Sequence, residues 1–532
     1  MMEHNIRKLP VGIQSFEQIR EDHYLLVDKT EYIYRLVHNG KPYFLGRPRR
    51  FGKSLLLSTL KAYWEGRKDL FKGLKIEELE RDNEKAWEQY PVFYFDFNID
   101  NFKEYSALEG VLDAHMVKWE KKYGIMPENG QSLAIRFKNV IEEAYEQEER
   151  KRRCVILVDE YDKPLLETVG NRELVEHNKA VFKGFFSNLK SEDEYIQFVF
   201  ITGVTKFSKV SIFSDLNNLR DISMTSDFSG ICGITEEEIK DNFMPEIEEL
   251  ADEQGISVDE CLGMLKTHYD GYHFHQAGKG VYNPFSLLNA FADREFGDYW
   301  FESGTPTFLV ERLKSMSFDA RKFTDGTLYA TGTMLKDYRD DNPDIVPLLY
   351  QTGYLTLGEY NRERNSFTLC FPNEEVKYGF LNSLLPAYVG NTGGGSGKDI
   401  ITLTEYMESG DLESVKNVFI ALFADITYTS ADAVFEHYFQ MVFYLVFTLL
   451  GKFVECERHT SLGRIDCTVK TKSFIYLFEF KSDSSAKEAL KQINDKKYAD
   501  PYASDKRKLY KIGVNFNSET RQLDGWEAEE GT

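Results

Sequence analysis

The sequence predicts an α/β protein with a parallel sheet flanked by helices, a mostly helical middle region and a second α/β domain. Between residues 42 and 203, short apolar strands alternate with long charged segments, which is the pattern of a parallel sheet covered on both faces. From 234 to 390 the pattern is mostly helical. A glycine-rich stretch then precedes strands with one helix among them. The predicted divisions are 1–233, 234–390, a flexible linker at 391–398, and 399–532.

The composition is that of a protein with buried cores. Hydrophobic residues make up 42% of the 532 residues and aromatic residues 14%, which excludes a disordered or fibrous chain. With 65 Lys and Arg against 87 Asp and Glu, the formal charge is −22. Because phosphate binding needs cationic surface, this acidity argues against a general nucleic-acid coat protein, although it does not exclude a local basic cleft.

The cysteines and the apolar runs indicate the cellular compartment in which we expect the protein. Six scattered cysteines, none in a C-x-x-C pair, indicate reduced thiols in a cytosolic protein and offer neither a zinc site nor a disulfide framework. No apolar stretch of signal-peptide length follows the amino terminus. The longest apolar run, 441–450, is far shorter than the roughly 20 residues that cross a bilayer. We therefore expect a cytoplasmic protein with no membrane partner, in which this run is a buried helix.

Four apolar runs are the strands of the predicted parallel sheet. They lie at 43–45, 92–97, 155–158 and 198–201, and each is separated from the next by at least one segment of helical length. Two shorter strands are predicted in the middle region, at 354–357 and 367–369. The near-continuous β-branched and aromatic character of the first four runs is typical of central strands buried on both faces.

The turn after the first strand has the features of a phosphate loop. Residues 44–54 read Phe-Leu-Gly-Arg-Pro-Arg-Arg-Phe-Gly-Lys-Ser and lead into a helical run, so that backbone N–H groups can wrap a polyphosphate. We expect nucleotide contacts at Arg47, Arg50, Gly52, Lys53, Ser54 and Leu55. Lys53 would reach the β- and γ-phosphates of ATP, and Ser54 would ligate Mg²⁺. The first glycine of the usual pattern falls on Arg47, and an ordinary helix start is the alternative.

Two further strand ends supply candidate partners for this loop. The strand 155–158 ends in Asp159 and Glu160, where a nucleotide-hydrolysing fold places a Mg²⁺-holding Asp and a water-polarising Glu. A surface turn is the alternative, because Tyr-Asp-Lys-Pro follows. The strand 198–201 ends in Thr202, which could sense the γ-phosphate or orient water, or could be structural. Together these motifs predict ATP or GTP binding.

Several segments resemble the predicted AAA-ATPase-like family of bacteria. They are 24–30, 47–54 with its unusual Arg-Pro-Arg-Arg, 158–162, Tyr-Asp-Gly-Tyr at 269–272, and 282–286. The resemblance covers residues from near 6 to near 290. It implies an ATP-binding module related to signal-transducing ATPases, with a helical or winged-helix continuation. Related ATPases often form homo-oligomers in which a neighbouring subunit supplies an arginine at the nucleotide, and Arg220 is the candidate for that role.

A second set of polar residues follows the linker. In the strand 474–481, a period of two places Glu479 and Lys481 on one face, while the adjacent phenylalanines point into a core. A hairpin would bring Asp466 beside Glu479. Two carboxylates can bind Mg²⁺ or Mn²⁺, and Lys481 can position water or neutralise charge in the transition state. The alternative, a surface salt bridge, fits poorly with a strand that is otherwise wholly apolar.

The order and spacing of Asp466, Glu479 and Lys481 resemble the PD-(D/E)XK nuclease superfamily, with Ile465 in place of its proline. An amphipathic helix follows and carries Gln492, with Tyr498 soon after, as in the branch typified by recombination exonucleases. Gln492 would neighbour the metal or a phosphate. In this resemblance Glu436 is the upstream acidic ligand, or else a solvated helix residue. His437 and His459 are more simply read as structural.

Local cations favour nucleic acid as a partner, with DNA preferred over RNA. They are Arg458, Arg464, Lys470, Lys472, Lys487, Lys491, Lys496 and Lys497. A solvated helix face explains many of the same residues. The sequence as a whole predicts an ATP-binding module that controls a metal-dependent nuclease. The alternatives are a nucleotide-dependent switch or scaffold whose nuclease fold binds without cutting, and an inactive remnant of a mobile element.

Overall fold

The computed structural model divides the chain into two compact units. The first comprises Met1–Trp300 and Leu328–Glu374, and the second comprises Phe301–Thr327 and Glu375–Thr532. The domain boundaries predicted from the sequence divide the chain differently from these two units, and they stay predictions. The structure describes residues 7–40, 42–206, 219–302, 307–316, 318–323, 326–336, 344–389, 396–424, 432–451, 455–458, 465–520 and 522–531.

The strands and helices are numbered in chain order. The strands are β1 (Tyr43–Gly46), β2 (Val92–Asp96), β3 (Cys154–Asp159), β4 (Ile196–Gly203), β5 (Arg220–Asp221), β6 (Ile234–Thr235), β7 (Val281–Tyr282), β8 (Tyr329–Thr331), β9 (Thr356–Asn361), β10 (Ser366–Cys370), β11 (Glu455–Arg458), β12 (Cys467–Lys470), β13 (Phe474–Ser482), β14 (Lys508–Asn517) and β15 (Gln522–Glu530). The helices of the first 300 residues are α1 (Phe16–Glu21), α2 (Thr30–His38), α3 (Lys53–Trp64), α4 (Lys75–Leu79), α5 (Ala107–Tyr123), α6 (Leu133–Gln147), α7 (Lys163–Leu166), α8 (Arg172–Phe186), α9 (Asn188–Ser191), α10 (Glu236–Asn242), α11 (Met244–Gln254), α12 (Val258–Tyr269), α13 (Pro284–Asp293) and α14 (Tyr299–Glu302). Those that follow are α15 (Thr307–Ser315), α16 (Gly332–Lys336), α17 (Val346–Gln351), α18 (Glu374–Val389), α19 (Ser396–Ser409), α20 (Leu412–Ala424), α21 (Asp432–Leu450) and α22 (Ala486–Asp495).

The first unit contains a five-stranded parallel sheet in the order β2-β3-β4-β1-β5. Its first four strands are those predicted from the apolar runs. All six residues of β3 are buried, as expected for a strand covered on both faces. In the register, Leu45 pairs with Thr202 and Asp96 with Asp159, so the polar residues at these strand ends lie at one edge of the sheet. The carboxyl edge of a parallel sheet is where such folds bind ligands.

Helices cover this sheet because their apolar residues recur at helical spacing. In α5, Leu108, Leu112, Met116 and Trp119 are buried, three or four positions apart, while the intervening charged residues face outward. The helix ends at Gly124, which has the left-handed backbone conformation that glycine adopts without strain. Helix α6 likewise has an apolar stripe, and the side chain of Ser132 caps its N-terminus.

The middle of the chain is helical with short strands, as predicted. Capping boxes begin α10 at Thr235 and α12 at Ser257. These helices share a core with α11 and α13, to which Ile247, Leu265 and Leu287 contribute fully buried side chains. Further along, β8, β10 and β9 form a three-stranded antiparallel sheet. The middle region therefore contributes both a helical cluster and a small sheet to the first unit.

The second unit contains a mixed sheet in the order β11-β12-β13-β14-β15. Its central pair, β13 and β14, is parallel and is connected by α22, whereas the other pairs are antiparallel. The helix α22 turns Ala486, Ala489 and Ile493 toward the sheet, as its spacing predicts. The strand β15 was not predicted, because the residues of its segment are mostly polar or acidic and lack a strong apolar signal.

The predicted buried helix at 441–450 and the predicted flexible linker at 391–398 have different outcomes. The apolar run 441–450 is almost entirely buried within α21, which confirms a buried helix. In the part of the chain that is described, no helix is long and apolar enough to span a membrane. Of the linker predicted at 391–398, residues 391–395 lie outside the described residues, and 396–398 are the first turn of α19. A flexible linker is therefore wrong for 396–398, since a helix already begins at Ser396.

We expect Gly513→Ala to destabilise the second unit. A Cβ at Gly513 in β14 would lie 2.2 Å from the carbonyl oxygen of Ala486 and 2.6 Å from the backbone nitrogen of Leu490, so α22 would have to shift. Overpacking of this kind costs about 1–3 kcal/mol. Calorimetry should show a lower unfolding midpoint. Gly110→Ala is the control, because nothing lies within 4 Å of a Cβ there and the helix interior favours alanine by about 0.5–1 kcal/mol. An unchanged midpoint for Gly513→Ala would contradict the close packing.

Candidate functional sites

The predicted phosphate loop connects β1 to α3. Gly52 is the residue before the helix and has φ 89°, a conformation that glycine adopts without a steric penalty. Arg50 also has a positive φ, of 66°, which is unusual for a residue with a Cβ. Ser54 is partly exposed in the first turn of the helix. A tight turn followed by a helix N-terminus turns backbone N–H groups toward one point, as an anion site requires.

Arg47, at the position where the usual loop has glycine, is almost completely buried. Its guanidinium donates hydrogen bonds to the carbonyl oxygens of Gly46 (2.9 Å), Ser223 (2.7 Å) and Phe228 (3.0 Å), and lies 3.9 Å from the ring centre of Phe274. Burial lowers the pKa of Arg47. The backbone N–H of Arg47 donates to Gly203. These contacts give Arg47 a part in shaping the loop, and its side chain is turned to the protein's own carbonyls.

Lys53 and Asp159 are both buried close to the loop. The Lys53 ammonium, 4% exposed, donates to the carbonyl oxygens of Arg47 and Pro48, each at 3.1 Å. The Asp159 carboxylate, also 4% exposed, accepts hydrogen bonds from the hydroxyls of Thr202 (2.7 Å) and Tyr94 (3.2 Å). The structure thus brings Thr202 directly to Asp159. Tyr94 on β2 was missed, because a tyrosine within an apolar strand carries no separate signal in the sequence.

Glu160 lies beside the same cluster. It has φ 50°, and burial raises the pKa of its carboxyl, while the nearby charge of Lys53 lowers it. A carboxyl with a raised pKa near a cation is a common arrangement for a group that positions or polarises water. The positive φ is sparsely populated for residues other than glycine, and such conformations cluster at functional sites.

Asp162 is a further residue of this site that the sequence interpretation treated as part of a turn. Its buried carboxylate accepts hydrogen bonds from the backbone N–H of Val204 (3.0 Å) and from the N–H (2.5 Å) and hydroxyl (2.7 Å) of Thr205. Burial raises the pKa of Asp162. A Cβ at Gly203 would lie 2.4 Å from the Asp162 carboxylate, so glycine is needed there. Asp162 therefore fixes the end of β4 relative to the segment after β3.

An apolar cavity adjoins the loop. Phe51, Gly52 and Leu55 line it, together with residues from three other segments, among them Leu25, Ile234 and Leu288. The side chain of Leu55 therefore faces this cavity. A cavity of this character beside a phosphate loop can accept the flat, largely apolar face of a nucleotide base. The lining residues outside the loop were not predicted, because single leucines and isoleucines do not distinguish a cavity wall from a core.

In the second unit, the hairpin of β12 and β13 brings Asp466 beside Glu479, as predicted. In the antiparallel register, Cys467 pairs with Phe478. Asp466 comes just before Cys467 and Glu479 just after Phe478, so these two residues lie opposite each other. The Asp466 carboxylate accepts a hydrogen bond of 2.8 Å from the backbone N–H of Phe480. Glu479 is only 2% exposed although it is acidic. Two carboxylates therefore meet next to a central strand.

Lys481 and Gln492 complete this cluster. The Lys481 ammonium donates to Oε1 of Glu479 (3.3 Å) and to Oε1 of Gln492 (2.7 Å), and the Gln492 amide donates to Oε1 of Glu479. Oε2 of Glu479 is buried and accepts no hydrogen bond from the residues that are described. The predicted convergence of Asp466, Glu479, Lys481 and Gln492 is present in the structure.

The electrostatics of the cluster suit a cation ligand. Burial, followed by the negative charge of Asp466, raises the pKa of Glu479 to about 7, while Lys481 lowers it. Burial also raises the pKa of Asp466. Carboxylate oxygens are the ligands that Mg²⁺ and Mn²⁺ prefer, and the buried Oε2 of Glu479 has an unused lone pair. The residues present therefore fit a divalent ion.

Tyr498 adds a hydroxyl to the same site. Burial raises the pKa of Tyr498, and the charges of Glu479 and Asp466 raise it further. The phenol is therefore close enough to both carboxylates for their charges to act on it. The buried hydroxyl has no hydrogen-bond partner among the described residues. Its position after α22 follows from the turn that ends this helix, where Tyr498 donates its backbone N–H to the carbonyl of Ile493.

Other predicted residues are placed only in part. Glu436 and His437 belong to α21, but their side chains lie outside the described residues, as do His459 and Arg464 altogether. Over the described ranges, no group of three or more His, Cys, Asp or Glu is arranged to hold a metal. Of the predicted cations, those exposed in the second unit are Lys472, Lys487, Lys491, Lys496 and Lys497.

Arg220 lies in β5, where it pairs with Tyr43 at the start of β1. The phosphate loop follows the other end of β1, after Gly46. Arg220 is exposed, and its guanidinium lies 6.0 Å from the ring centres of Tyr43 and Phe228. It is thus separated from the loop of its own chain. Its contribution to a neighbouring subunit stays a prediction.

Comparison with known proteins gives a family match for each of the two parts of the chain that contain these clusters. Residues 10–213 match the family described as Predicted AAA-ATPase, and residues 434–526 match the PD-(D/E)XK nuclease superfamily. An "Uncharacterized protein in vnfD 5'region" of Azotobacter chroococcum mcd 1 is 36% identical over 537 residues, which cover 98% of this chain and 99% of that protein. This chain belongs to the predicted AAA-ATPase family. The AAA-ATPase match contains Lys53, Asp159 and Thr202, and the nuclease match contains the cluster around Glu479.

We expect Asp162→Asn to destabilise the AAA-ATPase unit. An asparagine has one acceptor oxygen, and its amide hydrogens would face the donors of Val204 and Thr205. Leaving buried donors unpaired costs about 1–3 kcal/mol. Calorimetry of the full chain should therefore show a lower unfolding midpoint. Asp82→Asn, at an exposed position, serves as the control and should leave the midpoint unchanged. Equal midpoints for the two variants would contradict the structural role of Asp162.

Proposed function

We propose that this AAA-ATPase-family protein binds and hydrolyses Mg-ATP and thereby controls a metal-dependent nuclease in its second unit. The observation that carries the nuclease part is the convergence of Asp466, Glu479, Lys481 and Gln492 around a buried carboxylate oxygen without a partner among the described residues. The family match of both parts of the chain supports the combination.

In the first unit, each residue has a role that follows from its position. The loop at 47–52 would bind phosphates through its backbone N–H groups, and the apolar cavity beside Leu55 would take the base. Lys53 would turn its ammonium from the loop carbonyls to the β- and γ-phosphates. Ser54 and Asp159 would hold Mg²⁺, with Thr202 and Tyr94 orienting the carboxylate. Glu160 would position the attacking water.

In the second unit, Asp466 and Glu479 would hold the divalent ion, and Lys481 would stabilise negative charge that develops on the phosphate. A bound Mg²⁺ or Mn²⁺ supplies Lewis acidity and lowers the pKa of bound water. Gln492 fixes both Glu479 and Lys481 through hydrogen bonds, so that the carboxylate and the ammonium keep their orientation before substrate arrives. The exposed lysines on and after α22 would bind the phosphate backbone of nucleic acid, with DNA the favoured substrate.

A nucleotide-dependent switch whose nuclease fold binds without cutting is the second candidate. It is favoured by a specific observation, since the described residues supply two carboxylates and no third metal ligand. The two proposals differ in one measurable respect. A nuclease cleaves with Mg²⁺ or Mn²⁺, whereas the switch binds nucleic acid and leaves it intact under all metal conditions.

We expect Mg-ATP to raise the thermal unfolding midpoint of the wild type and not that of Lys53→Ala, because the variant loses the ammonium that binds the phosphates. At one hundred times the dissociation constant, ligand binding stabilises by about 2.7 kcal/mol. Differential scanning fluorimetry measures the shift. Lys61→Ala, an exposed lysine on the same helix, is the control and should respond as the wild type does. An equal shift in Lys53→Ala would place the nucleotide elsewhere.

We expect Asp466→Asn and Lys481→Ala to lower the rate of DNA cleavage by about 10²-fold or more, since each removes a charge that acts on the transition state. Gel assays with single- and double-stranded DNA and RNA, in Mg²⁺ and in Mn²⁺, provide the measurement. Asp495→Asn, an exposed acid on α22, is the matched control and should keep wild-type activity. Mn²⁺ should raise the melting temperature of the control but not of Asp466→Asn. Cleavage that persists in both site variants would mean that another site acts.

A further inference from the structure

The residues of the phosphate loop contact parts of the first unit that lie far along the chain. Three consecutive loop residues each meet a different such residue: Arg47 lies over the ring of Phe274, Pro48 packs against Gly353, and Arg49 lies over the ring of Trp300. A Cβ at Gly353 would lie 2.7 Å from the Cβ of Pro48, so this packing is close. The loop therefore has a nucleotide-facing side and a side that faces the middle region.

The contact between Arg49 and Trp300 is reciprocal. The indole N–H of Trp300 donates to the carbonyl oxygen of Arg49 (3.1 Å), and the Arg49 guanidinium donates to the carbonyl oxygen of Trp300 (3.4 Å). The guanidinium also lies 4.8 Å from the centre of the indole ring, within the range of a cation–π interaction. Trp300 is fully buried and contacts the ring of Tyr354 edge-on at 5.3 Å. A movement of the Arg49 backbone therefore has to change the environment of Trp300.

Trp300 has a particular position in the chain. The first segment of the first unit ends at Trp300, and the first segment of the second unit begins at Phe301, within the short helix α14. Phe301 in turn packs on the backbone of Gly379 in α18, where a Cβ would lie 2.6 Å from its ring. Trp300, which contacts the phosphate loop, is thus covalently joined to a residue that packs on α18 in the second unit.

Nucleotide binding would alter the loop through Lys53. In the present structure its ammonium donates to the carbonyl oxygens of Arg47 and Pro48, the two residues directly before Arg49. Polyphosphate competes for the same ammonium, so both carbonyls lose this donor when nucleotide binds. A ligand shifts a conformational equilibrium only through contacts that differ between the two states, and these hydrogen bonds differ.

We infer that the Arg49–Trp300 contact transmits nucleotide occupancy from the phosphate loop to the second unit. Release of the Lys53 ammonium changes the loop backbone, the change reaches Trp300 through the carbonyl and guanidinium of Arg49, and Phe301 carries it to α18. This inference rests on the proposed nucleotide binding. It assigns a regulatory role to Trp300 and to the side chain of Arg49, a residue that would contact phosphate only through its backbone.

Hydrogen exchange measured by mass spectrometry tests the inference on the full chain. The probe is Mg²⁺ with AMPPNP, a non-hydrolysable ATP analogue, and the readout is amide exchange in α18. In the wild type, the analogue should change exchange rates there by about fivefold or more, the lower end of typical allosteric coupling. In Arg49→Ala and Trp300→Phe the change should fall below about twofold, while the analogue still raises the melting temperature of Trp300→Phe.

The variants are chosen to separate coupling from folding. Trp300→Phe keeps a ring in the buried position and removes the indole N–H, so it remains informative if Arg49→Ala unfolds. Arg81→Ala removes an exposed arginine and should behave as the wild type.

Two results would overturn the inference. One is a wild-type exchange response in Trp300→Phe, and the other is a wild type that binds the analogue without a change of exchange in α18. Loss of binding in both variants would also overturn it, because these residues would then shape the nucleotide site. Failure of the analogue to shift wild-type melting would instead overturn the proposed nucleotide binding itself, together with the inference that rests on it.

Discussion

Buried carboxylates on central strands, or just after them, are the constraint on which both sites depend. An ionised carboxylate in an apolar interior is costly unless hydrogen bonds or opposite charges compensate it. Asp159 is compensated by two hydroxyls, and Asp162 by two backbone N–H groups and a hydroxyl. Glu479 is compensated on one oxygen only, by Lys481 and Gln492. The difference explains why the first two carboxylates are structurally satisfied, whereas Glu479 has capacity for a further ligand.

The main strands and both clusters could be predicted from the sequence because their signals are local or strictly periodic. The strands β1 to β4 are continuous apolar runs, and the hairpin that joins Asp466 to Glu479 follows from strand alternation and a short turn. The order of residues along the chain then places Asp159 and Thr202 near strand ends, and Glu479 and Lys481 on one face of β13. These inferences needed no knowledge of distant contacts.

What the sequence could not provide depends on contacts between distant segments. The two-residue strand β5 has no length over which a pattern could appear. Asp162 resembles any turn residue until the backbone of Thr205 is placed beside it. The burial of Arg47 is another example, since an arginine in a polar loop is normally exposed, and only the carbonyls of Ser223 and Phe228 make its burial favourable. Contacts of this kind link positions more than 40 residues apart.

The interleaved composition of the two units limits how the protein can be dissected. The chain passes from one unit to the other after Trp300, after Thr327 and after Glu374. A nick after Trp300 separates the two pieces of the first unit, a nick after Glu374 separates those of the second, and a nick after Thr327 separates the pieces of both. A fragment beginning at residue 399 would lack α15 and α18, which belong wholly or mostly to the nuclease-containing unit. No single truncation therefore removes one unit and leaves the other complete.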